Sequence, residues 1–480
     1  MDNLGLLKTF SESASWTQDT INLPVYGGTK RLVFSWRNDN SSAVQPPIAI
    51  DNVVLTTTGD GIGTENNPYL ISSKANMEAL ALTVENGNDC SGIYFSLTRV
   101  LTGANDTVTT VIGGTSGAFK GIFDGGGHEV AVKITIIKIS NPGDYGNYAY
   151  AGVFGYISNA TIKNLGVSGS VSYSRSSINS NSHYSGGICG YASSSLITNC
   201  YNTGSISSYA YDGGGVVHAA SLYSGGICGI VYSSTITNCY NTGSVSSSTA
   251  SFCYAGGICG GYGYGDDYSS TITNCYNTGS VSSSNSKNSY TYSGGICGSE
   301  GTISNCFAAN TTIKAKDSGR IAYEGYTPII SNCYALSSMT VNGSTIDGSP
   351  TSSSLDGKSQ SLATFQSQSW IEETLGWDFS NIWKMSASNS IYGGLPIFKN
   401  QRDITTNIEN IAVNKTENIK IYSAPNGIAL KTEEATSVSI FNIAGQKVHQ
   451  STVDGSAEIH LTKGVYIVRV GSENRKVIVK

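Results

Sequence analysis

Charge is what this chain has least of. Asp, Glu, Lys and Arg make up 13% of its 480 residues, against about 25% in an average globular domain, so solubility rests on hydroxyls and amides. The formal net charge is −5, and no Lys/Arg cluster supplies the electrostatic footprint of a nucleic-acid binder, which makes polyanions poor partners. No apolar run reaches the roughly 18 residues of a membrane-spanning helix. Met1-Asp2-Asn3-Leu4 opens without the basic and then apolar segment of a signal peptide, so an exported protein beginning here has lost its natural start. The five histidines, His128, His183, His218, His449 and His460, form no motif, and neither HExxH nor GxSxG occurs. Neither a cofactor nor a metal site is expected.

What is present is repetition. The block Tyr-Ser/Ala-Gly-Gly-Ile-Cys-Gly occurs at Tyr184, Tyr223, Tyr254 and Tyr292, each time followed by Ile-Thr/Ser-Asn-Cys ending at Cys200, Cys239, Cys275 and Cys306. Successive block cysteines, Cys189, Cys228, Cys259 and Cys297, lie 39, 31 and 38 residues apart. Periods of this length mark stacked units that cannot bury a core alone. A first copy without cysteine starts near Tyr148, with Phe154 and Leu165 at the ladder positions, and the pattern fades after Cys333. Ile197 and Cys200 are three apart, which period-two alternation would place on opposite faces; a corner at Asn199 lets both point inward.

Around the array, Ser72-Ser73 predicts a cap for a helix over Lys74 to Glu85 that Gly87 ends. Strands are expected near Ile93 to Val100 and Glu129 to Ile139. Residues 364–398 carry Trp370, Trp377 and Trp383 and read as a cap over the last coil, since an open solenoid edge invites pairing with other chains. A polar linker follows, and Val438 to Val448, Ala457 to Leu461, Val465 to Val470 and Lys476 to Lys480 read as strands of a small sandwich.

Nine of the eleven cysteines fall on two ladders, Cys189, Cys228, Cys259 and Cys297 on one, and Cys200, Cys239, Cys275, Cys306 and Cys333 on the other. Strand spacing of about 4.8 Å allows disulfides between ladder neighbours. The Phe and Leu in the first copy favour buried thiols packing as small apolar groups. Zinc is disfavoured because no His recurs with the pairs. The insertion Gly260 to Asp267 lacks the Lys and Ser/Thr of a phosphate loop and reads as a surface loop. With Tyr209, Tyr211 and Asp212, its Tyr262, Tyr264, Asp266, Asp267 and Tyr268 form a candidate glycan-contacting surface, because tyrosines stack on sugar rings and carboxylates accept their hydroxyls. Asp124 and His128 invite comparison with polysaccharide-cleaving β-helices, but acid/base work needs paired carboxylates and the repeats carry almost none; Asp124 reads as a turn residue.

Two resemblances extend this reading over most of the chain. At Gly187-Ile188-Cys189-Gly190 and its copies the array resembles the GLUG repeat family, with Asp60 to Ile71 and Phe119 to His128 similar to its usual lead-in. This implies a right-handed parallel β-solenoid on surface-exposed, often adhesin-like bacterial proteins. Ile440 to Val448, Lys463 to Val470 and Lys476 to Lys480 resemble the type IX secretion C-terminal sorting domain, which implies Gly445, Lys447, Gly464, Tyr466, Lys476 and Lys480 as signal residues. That implies an Ig-like sandwich, export from a Gram-negative bacterium by the type IX machinery, and release or attachment to surface lipopolysaccharide. Leu32 to Val53 resembles the end of a MAM-like jelly-roll.

The expected organisation is all-β: residues 1–58 a partial jelly-roll, 59–147 a lead-in and N-terminal cap with one helix, 148–345 the repeat solenoid, 346–398 its C-terminal cap, 399–407 a linker and 408–480 the sorting domain. The expected role is a secreted or surface adhesin, binding or spacer module without catalysis, touching a glycan or another host or bacterial surface ligand. The competing class is a carbohydrate-active β-helix enzyme, a polysaccharide lyase or glycoside hydrolase.

Overall fold

A computed structural model describes residues 61–405 and 419–479, apart from residues 139–147, 176–181, 211–220, 250–251, 264–269, 286–289, 300, 324–328, 347, 425–426, 433–434, 443–445, 463 and 471–472. The jelly-roll reading of residues 1–58 lies outside the described residues. Two compact units divide the chain, Met1–Thr405 and Thr406–Lys480.

The coil containing Cys189 shows how the repeat folds. His183–Gly186 meets a bend at Gly187-Ile188, Cys189–Ser193 follows, and a corner leads into Leu196–Thr198. A Cβ on the glycine that ends the strand before the bend, for instance Gly256 in a later coil, would collide with the carbonyl oxygen three residues on. Ser194 and Asn199 turn the two corners with φ of 47° and 53°, the left-handed region where Asn is several-fold enriched among residues bearing a Cβ. The Asn199 corner brings Ile197 and Cys200 to the same side, and both are fully buried. Tyr201–Asn202 and Ser205–Ala210 complete the coil, and Ser221–Gly225 opens the next.

Successive coils lie parallel and in register. Ile162, Ile197, Ile236, Ile272, Ile303 and Ile330 form one column of a nine-stranded isoleucine sheet. Phe154, Cys189, Cys228 and Cys259 head the rungs of a four-stranded cysteine sheet. Tyr150, Tyr184, Tyr223, Tyr254 and Tyr292 stack in a six-stranded tyrosine sheet. The remaining rungs form a long sheet that includes the column Tyr201, Tyr240, Tyr276, Phe307 and Tyr334. This is a parallel β-solenoid, the architecture the periodicity predicts.

Its interior has two parts of different chemistry. Ile, Val, Phe and Cys fill one continuous dry core. Beside it the tyrosine sheet faces the outer branch of the long sheet across a narrow seam of hydroxyls. There Ser208 Oγ donates to Ser185 Oγ and Ser224 Oγ donates to Ser208 Oγ, both at 2.9 Å, and Ser283 and Ser293 pair at 2.9 Å. Some of the serine in the repeats is therefore internal, where hydroxyls need partners.

At the N-terminal end, Tyr69–Ile71, Tyr94–Leu97 and Ile122–Asp124 add three rungs to the isoleucine sheet. The helix Lys74–Glu85 buries Met77, Leu80, Ala81 and Val84, and its cap Ser73 accepts the Asn76 N–H at 3.2 Å. Both helix bounds match the sequence reading.

The cap reading of residues 346–398 holds only for its first part. The Leu355 carbonyl accepts the N–H groups of Ile321 and Ala322, and Lys358–Gln360 pairs with Tyr334–Leu336, closing the last coil. Residues 361–401 then run back along the flank as a strap over the aromatic column. Trp370 meets Tyr334, Phe365 and Trp377 meet Phe307, Trp383 lies against Tyr240 and Tyr276, and Phe398 reaches Tyr201. The physical reason is the column itself: large rings on the outer side of the long sheet need a cover, and the strap supplies rings of its own.

In the second unit, Ile419–Ala424, Gly427–Thr432 and Ser456–His460 form one antiparallel sheet, and Lys447–Val453, Thr436–Asn442, Gly464–Val470 and Glu473–Val479 another. Ile428, Leu430, Val438, Ile440, Tyr466, Val468 and Val470 are buried between them, a β-sandwich.

Candidate functional site

Each corner of the solenoid is held by a side-chain ladder. Asn199 Nδ2 donates to Asn164 Oδ1 at 3.1 Å, and Asn164 Nδ2 donates to Asp124 Oδ1 at 2.9 Å. Asp124 also accepts the Gly126 N–H at 2.9 Å and pairs with Lys163 at 3.3 Å. It is the upper end of the asparagine ladder, the structural role its turn chemistry predicts.

The two cysteine columns stand where the repeats place them. Cys189 pairs in register with Cys228, Cys228 with Cys259, and Cys259 with Cys297. Cys200, Cys239 and Cys275 are aligned between in-register isoleucine and tyrosine columns, continued by Cys306 and Cys333, and all are fully buried. Every thiol in the second column donates to the carbonyl two residues before it, from Cys200 to Thr198 O at 3.2 Å through Cys333 to Ser331 O at 3.3 Å. Cysteine here is a hydrophobe that also satisfies a corner carbonyl, which Leu165 in the first copy cannot do. Burial pushes the Cys200, Cys228, Cys259 and Cys275 thiols well up, away from the thiolate that reacts. All eleven cysteines are free thiols in the structure. Ellman titration in guanidinium without reductant is therefore expected to count eleven thiols, and close to none within minutes at pH 8 in the native chain; a shortfall after unfolding would show that ladder neighbours had paired.

Of the loop set expected to touch glycans, Tyr211, Asp212, Tyr264, Asp266, Asp267 and Tyr268 lie outside the described residues. Tyr209 stands on the long sheet with 47% of its surface exposed. Tyr262 departs from the expected loop position. It ends a strand of the cysteine sheet, its ring lies over Gly301 against the core, and its hydroxyl donates to Thr302 O at 3.2 Å. The lack of a side chain at Gly301 leaves the space the ring fills.

A larger aromatic assembly lies elsewhere. The outward residues of the tyrosine sheet and of the cysteine sheet meet across the Gly-Gly bend: Tyr184 and Tyr191 are 5.4 Å apart, on a cluster separate from the core. Two walls make up this cluster, in which Tyr184, Tyr223 and Ile230 are buried and Tyr150, Tyr191 and Tyr254 half-buried. One wall is the column Tyr150, Tyr184, Tyr223, Tyr254 and Tyr292, stacked at centroid distances of 5.6, 5.5, 4.6 and 4.9 Å. The other carries Tyr156, Tyr191, Ile230 and, lower down, Gly261 in register. Burial, followed by Tyr156, Tyr191 and Tyr148, pushes the Tyr150 phenol up to about 12, so it stays a neutral hydrogen-bonding group at physiological pH. The signal was in the sequence: a Tyr opens every block, two residues before the invariable Gly-Gly.

Among the described residues no three His, Cys, Asp or Glu side chains gather as a metal site, and no helix is long and apolar enough to cross a membrane. In the C-terminal sandwich the Tyr466 hydroxyl donates to Thr462 O at 2.9 Å, Lys447 reaches Gln450 at 2.6 Å, and Gly464 opens the strand that pairs with Glu473–Val479, which contains Lys476. Gly445 and Lys480 lie outside the described residues.

Residues 181–207 and 220–246 match the GLUG motif, and residues 415–480 match the secretion system C-terminal sorting domain. Among solved structures, a candidate immunoglobulin A1 protease from Bacteroides ovatus is similar with a TM-score of 0.49 at 26% identity, over 71% of this chain and 94% of that one. No curated protein sequence matches the chain.

Proposed function

We propose that this chain, which carries GLUG repeats and a type IX secretion C-terminal sorting domain, works outside the cell as an adhesin-like binding and spacing module. The sorting domain directs it through the type IX machinery to the surface or the medium. Removal of that domain, with release or attachment to lipopolysaccharide, completes the proposed route. One observation carries the binding role. Coil after coil sets the same residue types at the same place, so the molecule repeats one surface along its length rather than gathering groups at a single centre. Asp124, the carboxylate that most invited an enzymatic reading, belongs to a corner ladder.

Deleting residues 408–480 is expected to hold the protein in the periplasm, while the intact chain reaches the surface and adheres to glycan-coated or cellular surfaces. Appearance of the truncated chain outside the cell would remove the sorting assignment. Reproducible release of oligosaccharides from a polysaccharide panel by the purified chain would replace the binding role with catalysis.

A further inference from the structure

The outward face of the isoleucine sheet is unexplained by coil stacking, which uses only the inward isoleucines. In each repeat rung one buried Ile stands between two half-buried residues that point outward. Register turns these flanking residues into two straight ranks. Leu196, Thr235, Thr271 and Thr302 form the first, and Thr198, Thr237, Thr273 and Ser304 the second. None of the eight is charged, in contrast to Asp124 and Lys163 in the two rungs above. Strand propensity accounts for threonine at either position, but not for its recurrence at both with no charged residue between.

The hydroxyls are held in order. A β-branched side chain has few χ1 choices. Along the first rank Thr271 Oγ1 donates to Thr235 Oγ1 at 3.3 Å, and along the second Ser304 Oγ donates to Thr273 Oγ1 at 3.2 Å. Next to the second rank the asparagine ladder adds a line of amides, where Asn274 Nδ2 donates to Asn238 Oδ1 at 3.2 Å. Next to the first, a recess of about 530 Å³ opens over Ser194, Leu196, Ser233 and Thr235, so water reaches the rank from that side.

The spacing of the ranks matches one ligand. Rungs repeat about every 4.8 Å, and two residues along a strand set the ranks about 6.6 Å apart. Water with four tetrahedral hydrogen bonds of about 2.75 Å places second-neighbour oxygens about 4.5 Å apart and repeats its layers about every 7.3 Å. The offset of about 0.3 Å per rung grows to only about 1 Å over the three steps from Leu196 to Thr302. Within that span the hydroxyls meet a lattice of water oxygens while the γ-methyls fill the gaps between them. A stacked sugar would need aromatic platforms, which neither rank has, and a polyion would need charge.

We propose that this face of the isoleucine sheet adsorbs to ice, its two ranks ordering a water layer that merges with the crystal. The activity goes beyond the binding and spacing role, and each can fail without the other.

The test is ice recrystallisation and crystal shape in a chilled solution of the full chain, with serum albumin as the inert control. The full chain is expected to keep crystals small and faceted. Thr271→Lys, in the middle of the first rank, is expected to abolish both effects, whereas Ser207→Lys, at an exposed position of the long sheet, leaves both intact. Thr271→Ser keeps the hydroxyl and drops the methyl; it is expected to reduce both effects and serves if Thr271→Lys does not fold. Crystals that coarsen as they do in albumin, or inhibition that survives both Thr271 variants, overturn the proposal. Adhesion to glycan-coated or cellular surfaces is read separately, so a chain that adheres but leaves ice unchanged sinks this inference alone.

Discussion

Replacing Trp383 by Ala is expected to cost about 3–5 kcal/mol and to loosen the whole strap rather than one contact. Trp383 is fully buried. Its ring stacks on Trp377 and on Phe398, both at 4.7 Å, and borders Tyr240 and Tyr276. The backbone around it is committed as well, since Trp383–Met385 pairs antiparallel with Pro396–Phe398. Two further ties close over the same stretch of column: the Tyr276 hydroxyl donates to Pro396 O at 2.6 Å, and the Tyr240 hydroxyl to Gln401 Oε1 at 2.8 Å. With the central ring gone, these ties face a void and water. Denaturant titration measures the loss, and limited proteolysis locates it, with new cuts expected within residues 361–401. Trp370→Ala, at a half-buried ring near the strap's start, should cost less. A Trp383→Ala chain that keeps the parent's stability and protease pattern would mean that the strap is held by other means.

The strap also shows where sequence reasoning stopped. Three tryptophans after a fading repeat point to something that covers, but composition does not say which surface is covered. The answer lay in the partner: Tyr201, Tyr240, Tyr276 and Phe307 directly follow the corner cysteines, and nothing local tells that their rings turn outward into a column. By contrast the helix Lys74–Glu85 and the Asn199 corner were legible because their causes are local, a Ser cap with a Gly stop and a three-residue spacing of inward side chains. The register of the coils was legible for a related reason. Repeats of one sequence pair like with like, and a slip of one residue would turn every Ile out of the core. The tyrosines that open each block are plain in the sequence, but their meeting with Tyr156 and Tyr191 across the bend is a property of the coil's cross-section.

The second large effect is expected inside the solenoid, at Asn241. Asn202, Asn241 and Asn277 form a fully buried column in register. The Asn241 side chain makes four hydrogen bonds. Nδ2 donates to Gly243 O at 2.7 Å and to Asn277 Oδ1 at 2.8 Å, while Oδ1 accepts from Gly243 N at 3.2 Å and from Asn202 Nδ2 at 2.8 Å. Asn241→Val keeps the site filled with a small apolar group and strips partners from a backbone N–H, a backbone C=O and two neighbouring amides. Asn202 Nδ2 keeps Gly204 O and Asn277 Oδ1 keeps the Gly279 N–H, so the orphaned groups are the N–H and C=O of Gly243; at roughly 1–3 kcal/mol each, a total on the order of 2–6 kcal/mol is expected. The column shows that the position itself tolerates apolar side chains, because Val167 stands above Asn202, and Ala308 and Ala335 continue below Asn277. Those coils lack the Asn-Thr-Gly turn, and the first of them uses Gly169 at a φ of 92° instead. The cost therefore belongs to the pairing of Asn with the Gly two residues on. Asn277, with one side-chain neighbour in the ladder instead of two, should lose less on the same change. The double variant should lose less than the sum of the two, by a coupling of about 0.5–3 kcal/mol. Strict additivity in that cycle would show that the amides share space without sharing energy, and the ladder would then be a consequence of the stacking rather than one of its causes.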